Sequence, residues 1–442
     1  MKRPPDLVEP SHPLHPTQAF RRLPLAARPF VRLDSLAVWE SDTRSLPPAL
    51  GEYRRQLRRF AEEVLLPRRD DGDSNQHGSV QSEVLEAAAR AGLLSDLLPR
   101  PIGTTPLRRM RHSLVFQQSL KMEELCAACA GLGLLIGAHG LGTMPLILST
   151  DLALLRRELW PLYRANAGGR PRLLAYAITE PGGGSDVEDA DGARRYKPGC
   201  VARRVPGGYR LNGRKIFISG GDLAHAVTVF GALEGEGMES WTCFLVYHDA
   251  PGFSRVRNEI KMGQRASAAT ELLFEEVFVP DARVVGPLRA GWALNRATLN
   301  ISRVPVGAIA LGIARGAFEA ALGFVNRHSL AGRPLIHYQE VQLRLAQMQI
   351  DTSAMRGLLW QVSRSWAPTQ TQAATVKVFC SDTAVGVCRA AMDLMANHGA
   401  SYAGAVEKSY RDARLTQIYE GTNQINRLAV VEDQLEAWLA LG

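Results

Sequence analysis

Near the C-terminus, Tyr419-Glu420-Gly421-Thr422-Asn423-Gln424 sets a lone carboxylate beside a glycine at the mouth of an apolar helix. A carboxylate placed there can act as base toward a weakly acidic C–H, provided that water is excluded and its basicity raised. Gly421 allows a ligand to approach the backbone closely, and the Glu420 amide N–H is available to hold a developing oxyanion. The other reading of Glu420 is a helix N-terminal carboxylate favoured by the macrodipole. Two upstream segments carry complementary groups. In Thr179-Glu180-Pro181-Gly182-Gly183-Gly184-Ser185-Asp186, two hydroxyls bracket a glycine run whose amides add donors; alone, the run would be a turn. In Lys215-Ile216-Phe217-Ile218-Ser219, a strand-like run ends in another hydroxyl, and Phe217 by itself would be a β-core residue.

Three blocks of periodicity must position these groups. Tyr53, Leu57, Phe60 and Val64 recur at helical spacing, and Pro67 is expected to end that helix. A second helix is expected over Gln81–Ala91 and a long one over Leu114–Leu135, with a turn-rich connection at Pro99–Arg109. Leu125 to Thr150 holds no Asp, Glu, Lys or Arg and is long enough for a membrane span. Its glycines, His139 and Pro145 favour instead a buried helix that breaks near Gly137–Gly140, with His139 a satisfied core histidine. The period then changes. Leu173–Ile178 reads as a strand, as do Ala226–Phe230, Thr242–Val246 and Glu271–Phe274. Asn212-Gly213 between Tyr209–Leu211 and Arg214–Ile218 predicts a hairpin with a type I′ turn. Helical periodicity returns over Gly291–Asn326, Gln339–Trp366, Thr371–Ala396 and a last helix past Asn423. Helices, strands, then helices predict a multidomain α+β chain. The divisions are an N-terminal extension over 1–48 (an extension or lid), a helical domain over 49–170, a central β domain over 171–288 and a C-terminal helical bundle over 289–442.

The three site segments, in this order and spacing, resemble the acyl-CoA dehydrogenase family of flavoenzymes, and the resemblance runs from about Tyr53 to Trp438. It implies an N-terminal helical domain, a central β-barrel and a C-terminal four-helix bundle. It implies FAD as cofactor and α,β-dehydrogenation of an acyl-CoA thioester, with Glu420 abstracting the α-proton while hydride leaves Cβ for flavin N5. The Glu420 amide and a ribityl hydroxyl would bind the thioester oxygen. A subset of the family carries its base on the helix that begins the bundle; here Asn300-Ile301-Ser302-Arg303 offers only Ser302, which leaves Glu420 without a rival. Tyr176, Ile178, Thr179, Gly184, Ser185, Phe217, Ile218 and Ser219 would contact the flavin, with Ser219 near N5 and Phe217 against the ring. Ser185, Arg303 and Gly421 would contact the substrate; the other reading of Arg303 is an ion pair. For the dinucleotide half of FAD, Arg327, His328, Gln339, Asp393, Asn397, Thr422 and Gln424 are candidates. Here the chain departs from the family: His328-Ser329-Leu330-Ala331-Gly332 stands for Arg-x-x-Phe-Gly, with Arg327 one place early, and Asp393–Gly399 replaces a Gln and Gly-Gly pair. Arg265 and Arg411-Asp412 match the pattern as structural residues. The expected partners are an acyl-CoA or acyl carrier-protein thioester and an electron-transfer flavoprotein, in a homotetramer that shares flavin contacts between subunits.

Bulk composition fits this. The chain of 442 residues is ordinary in composition, and its net charge of +8 arises from dispersed arginine rather than from blocks. That argues against nucleic acid as partner, and a DNA-associated relative would be expected to carry a basic C-terminal extension. Six cysteines make no disulfide framework; Cys126-x-x-Cys129 fits one face of a buried helix, and a reducing cytoplasm is the expected compartment. Two rivals share the fold. One is a biosynthetic desaturase of a carrier-protein thioester, and the other is a flavin monooxygenase, which has no need of a base at Glu420.

Overall fold

Apolar residues at helical spacing in the first part of the chain become a helical layer. The computed structural model describes residues 20–30, 37–74, 78–401 and 405–441, so part of the N-terminal extension (1–19 and 31–36) lies outside the described residues. The described end of that extension is not free-standing. Helix α1 (Val38–Ser45) docks on the layer, where Trp39 Nε1 donates to Glu124 at 2.9 Å and Asp42 pairs with Arg356 at 3.1 Å. Helix α2 (Pro48–Phe60) does not stop at Pro67: the helical path runs on through a wide turn at Ala61–Leu65 and a tight one at Leu66–Arg68 to Ser74. Pro67 sits in the first turn of the tight piece, where its missing N–H leaves no bond unmade. After α3 (Ser79–Arg90) comes the expected turn-rich stretch, then α4 (Leu114–Ala128), α5 (Ala130–Leu148) and α6 (Trp160–Ala167).

The break expected near Gly137–Gly140 lies instead at Cys129, whose extended backbone (φ −158°, ψ 110°) separates α4 from α5. The glycines of α5 serve close packing rather than bending. A Cβ on Gly137 would stand 2.8 Å from the Met122 side chain, and one on Gly142 would stand 2.6 Å from the Leu174 backbone. Two helices of the described chain, Ala130–Leu148 and Gly291–Arg327, are long and apolar enough to cross a membrane, and both are largely buried inside the protein.

The middle of the chain is an eight-stranded mixed sheet of β1 (Leu173–Ala177), β2 (Val201–Val205), β3 (Gly208–Ser219), β4 (Ala224–Leu233), β5 (Thr242–Tyr247), β6 (Phe253–Asn258), β7 (Ala269–Pro280) and β8 (Val284–Val285). Strand order is β6-β7-β3-β2-β4-β5-β8, with β1 parallel on β4. It folds around an interior of Leu211, Val227, Phe244, Leu272 and Phe274. The hairpin predicted at Asn212-Gly213 is absent. Both residues lie inside the unbroken β3, at a bulge against β7. Gly213 (φ 140°) is needed because a Cβ there would meet the Cys200 backbone at 2.6 Å. The two-residue turn is Pro206-Gly207, between the paired Val205 and Gly208.

The bundle comprises α7 (Gly291–Arg327), α8 (Gln339–Ser363), α9 (Gln370–Met395) and α11 (Asn423–Leu439), with a shorter α10 (Val406–Thr416) that periodicity did not separate. The two helical regions, far apart in sequence, share one core that runs from Leu50 and Leu57 through Phe116 and Leu120 to Ile309, Met355, Leu359 and Val376. At its centre Arg54, Arg315 and Arg356 surround Glu123 and Glu124, with ion pairs of 2.7–2.9 Å, all buried. This helical core, the sheet interior and a third core, which includes Leu146, Leu162, Tyr176 and Trp241, meet around one cavity.

Candidate active site

Tyr419-Glu420-Gly421 joins α10 to α11 in an unusual backbone. Glu420 has φ 55° and Gly421 φ 79°, so a residue with a side chain occupies the left-handed region, at a cost of roughly 1–2 kcal/mol. Side chains from three helices hold it there. Arg303 Nε and Asn426 Nδ2 each donate to the Glu420 carbonyl at 3.3 Å. Asn426 Nδ2 also reaches the Gly421 carbonyl at 2.8 Å, and Lys377 Nζ donates to the same oxygen at 2.7 Å. Position 421 must be glycine on two counts, its positive φ and the Glu188 carboxylate, which would stand 2.5 Å from a Cβ.

The conformation sends the Glu420 carboxyl into a cavity of about 380 Å³. Among the described residues its one side-chain partner is Ser302, which donates to Oε2 at 2.9 Å. The carboxyl is half-buried only because the cavity reaches it; protein otherwise surrounds it. Burial raises its pKa to about 7, and the nearby Glu188 adds to this. The Ser302 hydroxyl, Arg303 and Lys377 pull the other way. Glu188 is itself sequestered and paired with Arg303 at 2.7 Å; burial keeps its pKa above the ordinary value despite that partner. Burial also lowers the Lys377 ammonium to about 7.

The opposite wall comes from the sheet. Ile216 N donates to the Thr179 carbonyl at 2.9 Å, and Lys215 Nζ donates to the Ile178 carbonyl at 2.9 Å and pairs with buried Glu180 at 2.8 Å. Glu180, inside the glycine-run motif, is thus a structural staple. It also accepts from the Tyr196 hydroxyl at 2.7 Å and the Gly199 amide at 2.5 Å. A bulge of β3 against β7 between Lys215 and Ile218 puts Phe217 at φ 60° and leaves the residue 55% exposed beside the cavity. The two halves touch directly where Thr422 N donates to Ser185 Oγ at 3.0 Å.

Of the residues singled out by sequence, Tyr176, Ile178, Thr179, Gly184, Ser185, Phe217, Ile218, Ser219, Glu420, Gly421 and Thr422 line this one cavity. Others do not. Arg303 turns from it to Glu188 and the Glu420 carbonyl, where it supports the Glu420 backbone. Gln424 is exposed on the first turn of α11. Arg327 and His328 end α7, far along the bundle, where His328 stacks on Phe324 at 3.9 Å and lies 5.4 Å from His398. That ring cluster gathers the Arg327–His328 and Asp393–Asn397 segments at one end of the bundle, with Arg327, Asp393, Asn397 and Gln339 exposed. His139 is a satisfied core residue: Nε2 lies 2.8 Å from the Leu94 carbonyl, Nδ1 accepts from Leu174 N at 2.9 Å, and burial lowers its pKa to about 4. Arg411 pairs with Asp73 at 2.7 Å, Asp412 accepts from Lys408, and Arg265 Nε donates to the Lys261 carbonyl at 2.9 Å; all three are structural contacts. All six cysteines are buried and unpaired, and no group of three or more His, Cys, Asp or Glu able to hold a metal occurs among the described residues.

Sequence reasoning missed Glu188, Lys377 and Asn426, and gave Ser302 no part beyond failing as a base. Only Lys377 carried a legible signal, a single cation in the apolar run of Ala373, Ala374, Val376 and Cys380.

The chain matches three family descriptions in order: acyl-CoA dehydrogenase N-terminal domain over 48–162, middle domain over 175–277 and C-terminal domain over 289–435. It is 31% identical over 383 residues to the cyclohexane-1-carbonyl-CoA dehydrogenase of Geobacter metallireducens, an alignment that covers 86% of this chain and 96% of that protein. Among solved structures, butyryl-CoA dehydrogenase from Megasphaera elsdenii superposes with TM-score 0.80 at 26% identity, over 88% of this chain and 99% of that one. An acyl-CoA dehydrogenase from Bacillus anthracis in complex with FAD superposes with TM-score 0.79 at 25% identity, over 90% of this chain and 68% of that one.

Proposed function

We propose that this chain, which belongs to the acyl-CoA dehydrogenase family, oxidises the Cα–Cβ bond of an acyl-CoA thioester with Glu420 as the base. One observation carries the assignment: a carboxylate with its pKa raised to about 7 shares one cavity with the sheet hydroxyls. A base poised near neutrality is ionised enough to accept a proton and basic enough to take it from carbon. Ser302 fixes which lone pair of Glu420 stays free, and Arg303, Asn426 and Lys377 fix the backbone that aims it. The Glu420 N–H is the donor for the thioester oxygen as enolate charge develops. Apolar residues of α4, α5 and α7 close the acyl side against water.

Members of the family use FAD, and the residues here fit it. Phe217, strained and half exposed, offers a flat apolar surface beside Thr179 and Ser219, where a ring would cover it. FAD, when bound, supplies the acceptor for the hydride that leaves Cβ. The exposed Arg327 and Asp393–Asn397 segments, gathered away from the cavity, suit the dinucleotide of a neighbouring subunit in a homotetramer. Electrons would then leave to an electron-transfer flavoprotein, in a reducing cytoplasm that keeps the six cysteines free.

The test is anaerobic bleaching of the purified, flavin-loaded protein by a panel that includes butyryl-CoA and cyclohexane-1-carbonyl-CoA. A product lighter by two hydrogens is expected by mass spectrometry. An added oxygen atom in a parallel incubation of the reduced flavoprotein with the same thioesters in air would replace the reading with a monooxygenase, and bleaching only by a carrier-protein thioester would make it a biosynthetic desaturase.

A further inference from the structure

The apolar end of the cavity contains a polar group that the proposed reaction does not use. Gln118 lines the cavity, as do Val115 and Met122, one turn away on either side of the same α4 face. Helices α4 and α7 run side by side in a fixed register: a Cβ on Gly312 would meet the Glu123 carbonyl at 2.5 Å, and one on Gly316 would meet the Ala127 carbonyl at 2.4 Å. Extending that register back puts Gln118 at the level of residue 307, between Val306 and Ile309, which also line the cavity. Ser302, the partner of Glu420, lies five residues earlier on α7, roughly 8 Å along the helix. Gln118 therefore faces the part of the acyl group several carbons beyond the reacting bond.

Its amide is unspent. Gln118 Nε2 is shut off from solvent and has no hydrogen-bond partner. The adjacent Gln117 is a control within the same helix: its Nε2 donates to the Arg109 and His112 carbonyls at 3.0 and 3.1 Å. Around Gln118 this end is hydrocarbon, with Leu97, Leu141, Val306 and Ile309. A hydrocarbon acyl group packed here leaves that N–H group unpaired, which a site discriminates against strongly. An acyl group with an oxygen at that depth would pair it. Among the described residues no lysine, arginine or histidine lines the cavity, and Glu188 and Glu420 are both carboxylates, so the partner is neutral rather than a second carboxylate.

Resting on the acyl-CoA dehydrogenase reading, we propose that Gln118 is a specificity residue that hydrogen-bonds a keto or hydroxyl oxygen on the distal part of the acyl group. The preferred substrates are then oxygenated acyl-CoAs. Two matched pairs test this: 5-oxohexanoyl-CoA against hexanoyl-CoA, and 4-oxocyclohexane-1-carbonyl-CoA against cyclohexane-1-carbonyl-CoA. The wild-type protein should favour the oxygenated member of at least one pair by about 10-fold or more in kcat/KM. Gln118→Leu and Gln118→Met should erase that preference, lowering the oxygenated rate and raising the hydrocarbon rate. Flavin content and the pH midpoint of bleaching should stay unchanged. Equal use of both members by the wild type, or a preference that survives in both variants, overturns the inference while leaving the dehydrogenase reading intact. Failure of all four thioesters to bleach the flavin overturns both.

Discussion

Glu123 and Glu420 are glutamates removed from water on the two sides of one helical core, and their surroundings drive them in opposite directions. Burial raises both. Around Glu123 the guanidiniums of Arg356, Arg54 and Arg315 more than offset that, and its pKa falls below the usual carboxylate range. Around Glu420 a single hydroxyl at 2.9 Å, with Arg303 turned to its carbonyl instead, leaves burial dominant. The Glu123 cluster locks the first helical region to the bundle, with Arg315 from α7 and Arg356 from α8. Partner count separates a carboxylate that fastens helices from one that can move a proton. The first kind is held as an anion at any working pH. The second is kept close to changing state.

Removing the carboxylate that titrates should give the largest effect. Glu420→Gln keeps shape but cannot accept the α-proton, so stopped-flow bleaching by acyl-CoA should slow by about 10²–10⁴-fold or more while flavin and ligand still bind. Stability should move the other way. A carboxyl whose folded pKa is raised to about 7 opposes folding once ionised, fully above that pH and not at all below the ordinary carboxylate range. The variant should therefore be more stable at pH 8, by on the order of 2 kcal/mol after discounting the cavity-facing side, and equal to wild type at pH 4. Wild-type bleaching rates in the variant would remove Glu420 as base.

The mirror experiment is Glu123→Gln. It removes the carboxylate that Arg54, Arg315 and Arg356 share and leaves them only Glu124 and the peripheral Asp42 and Glu319, and breaking such a buried set costs about 3–5 kcal/mol. Thermal unfolding should show that loss at pH 7, with the rate per bound flavin nearly unchanged. The wild-type contribution is complete above the ordinary carboxylate range and disappears as pH falls through the depressed value, so the variant should lose its disadvantage in acid. A normal melting temperature at pH 7 would mean that the arginine cluster needs no anion.

This division explains what the sequence could tell. The place of Glu420 in the cavity was legible because hydroxyls at Thr179, Ser185 and Ser219 accompany a carboxylate next to Gly421, which alone would read as a helix N-terminal carboxylate. The helical and strand blocks were legible from period. Asn212-Gly213 misled because dipeptide turn chemistry cannot register that Cys200 packs across the strand. Gly137 misled for the same reason, since Met122 lies against it. Glu188 and the Glu123 cluster were illegible because an acidic residue in sequence looks the same whether it meets water or an arginine from a helix more than a hundred residues away.

A smaller effect is expected from Ser302→Ala. Its hydroxyl favours the ionised form of Glu420, so losing it leaves burial less opposed and raises the pKa further. The midpoint of the pH–rate profile for bleaching should rise by up to about one unit, with little change on its high-pH plateau. A midpoint that stays in place would show that the hydroxyl only positions the carboxyl.

Glu188 sits between the two regimes, and its removal should give the smallest and most diagnostic shift. Like Glu123 it is buried against an arginine, at 2.7 Å from Arg303, and like Glu420 it lines the cavity with a pKa above its ordinary value. Its negative charge raises Glu420, and the Arg303 charge it partly offsets lowers Glu420. Glu188→Gln takes away the first influence and strengthens the second, so both changes favour ionised Glu420. The pH midpoint should fall by less than about one unit, opposite in sign to Ser302→Ala. Gln at this position can still accept from Arg303, which keeps the support under the left-handed Glu420-Gly421 backbone. If the midpoint falls and the plateau rate holds, Glu188 acts on Glu420 through charge. If the plateau collapses with no shift in midpoint, the Glu188–Arg303 pair is a fastener of the Glu123 kind, and the strained turn depends on it for shape.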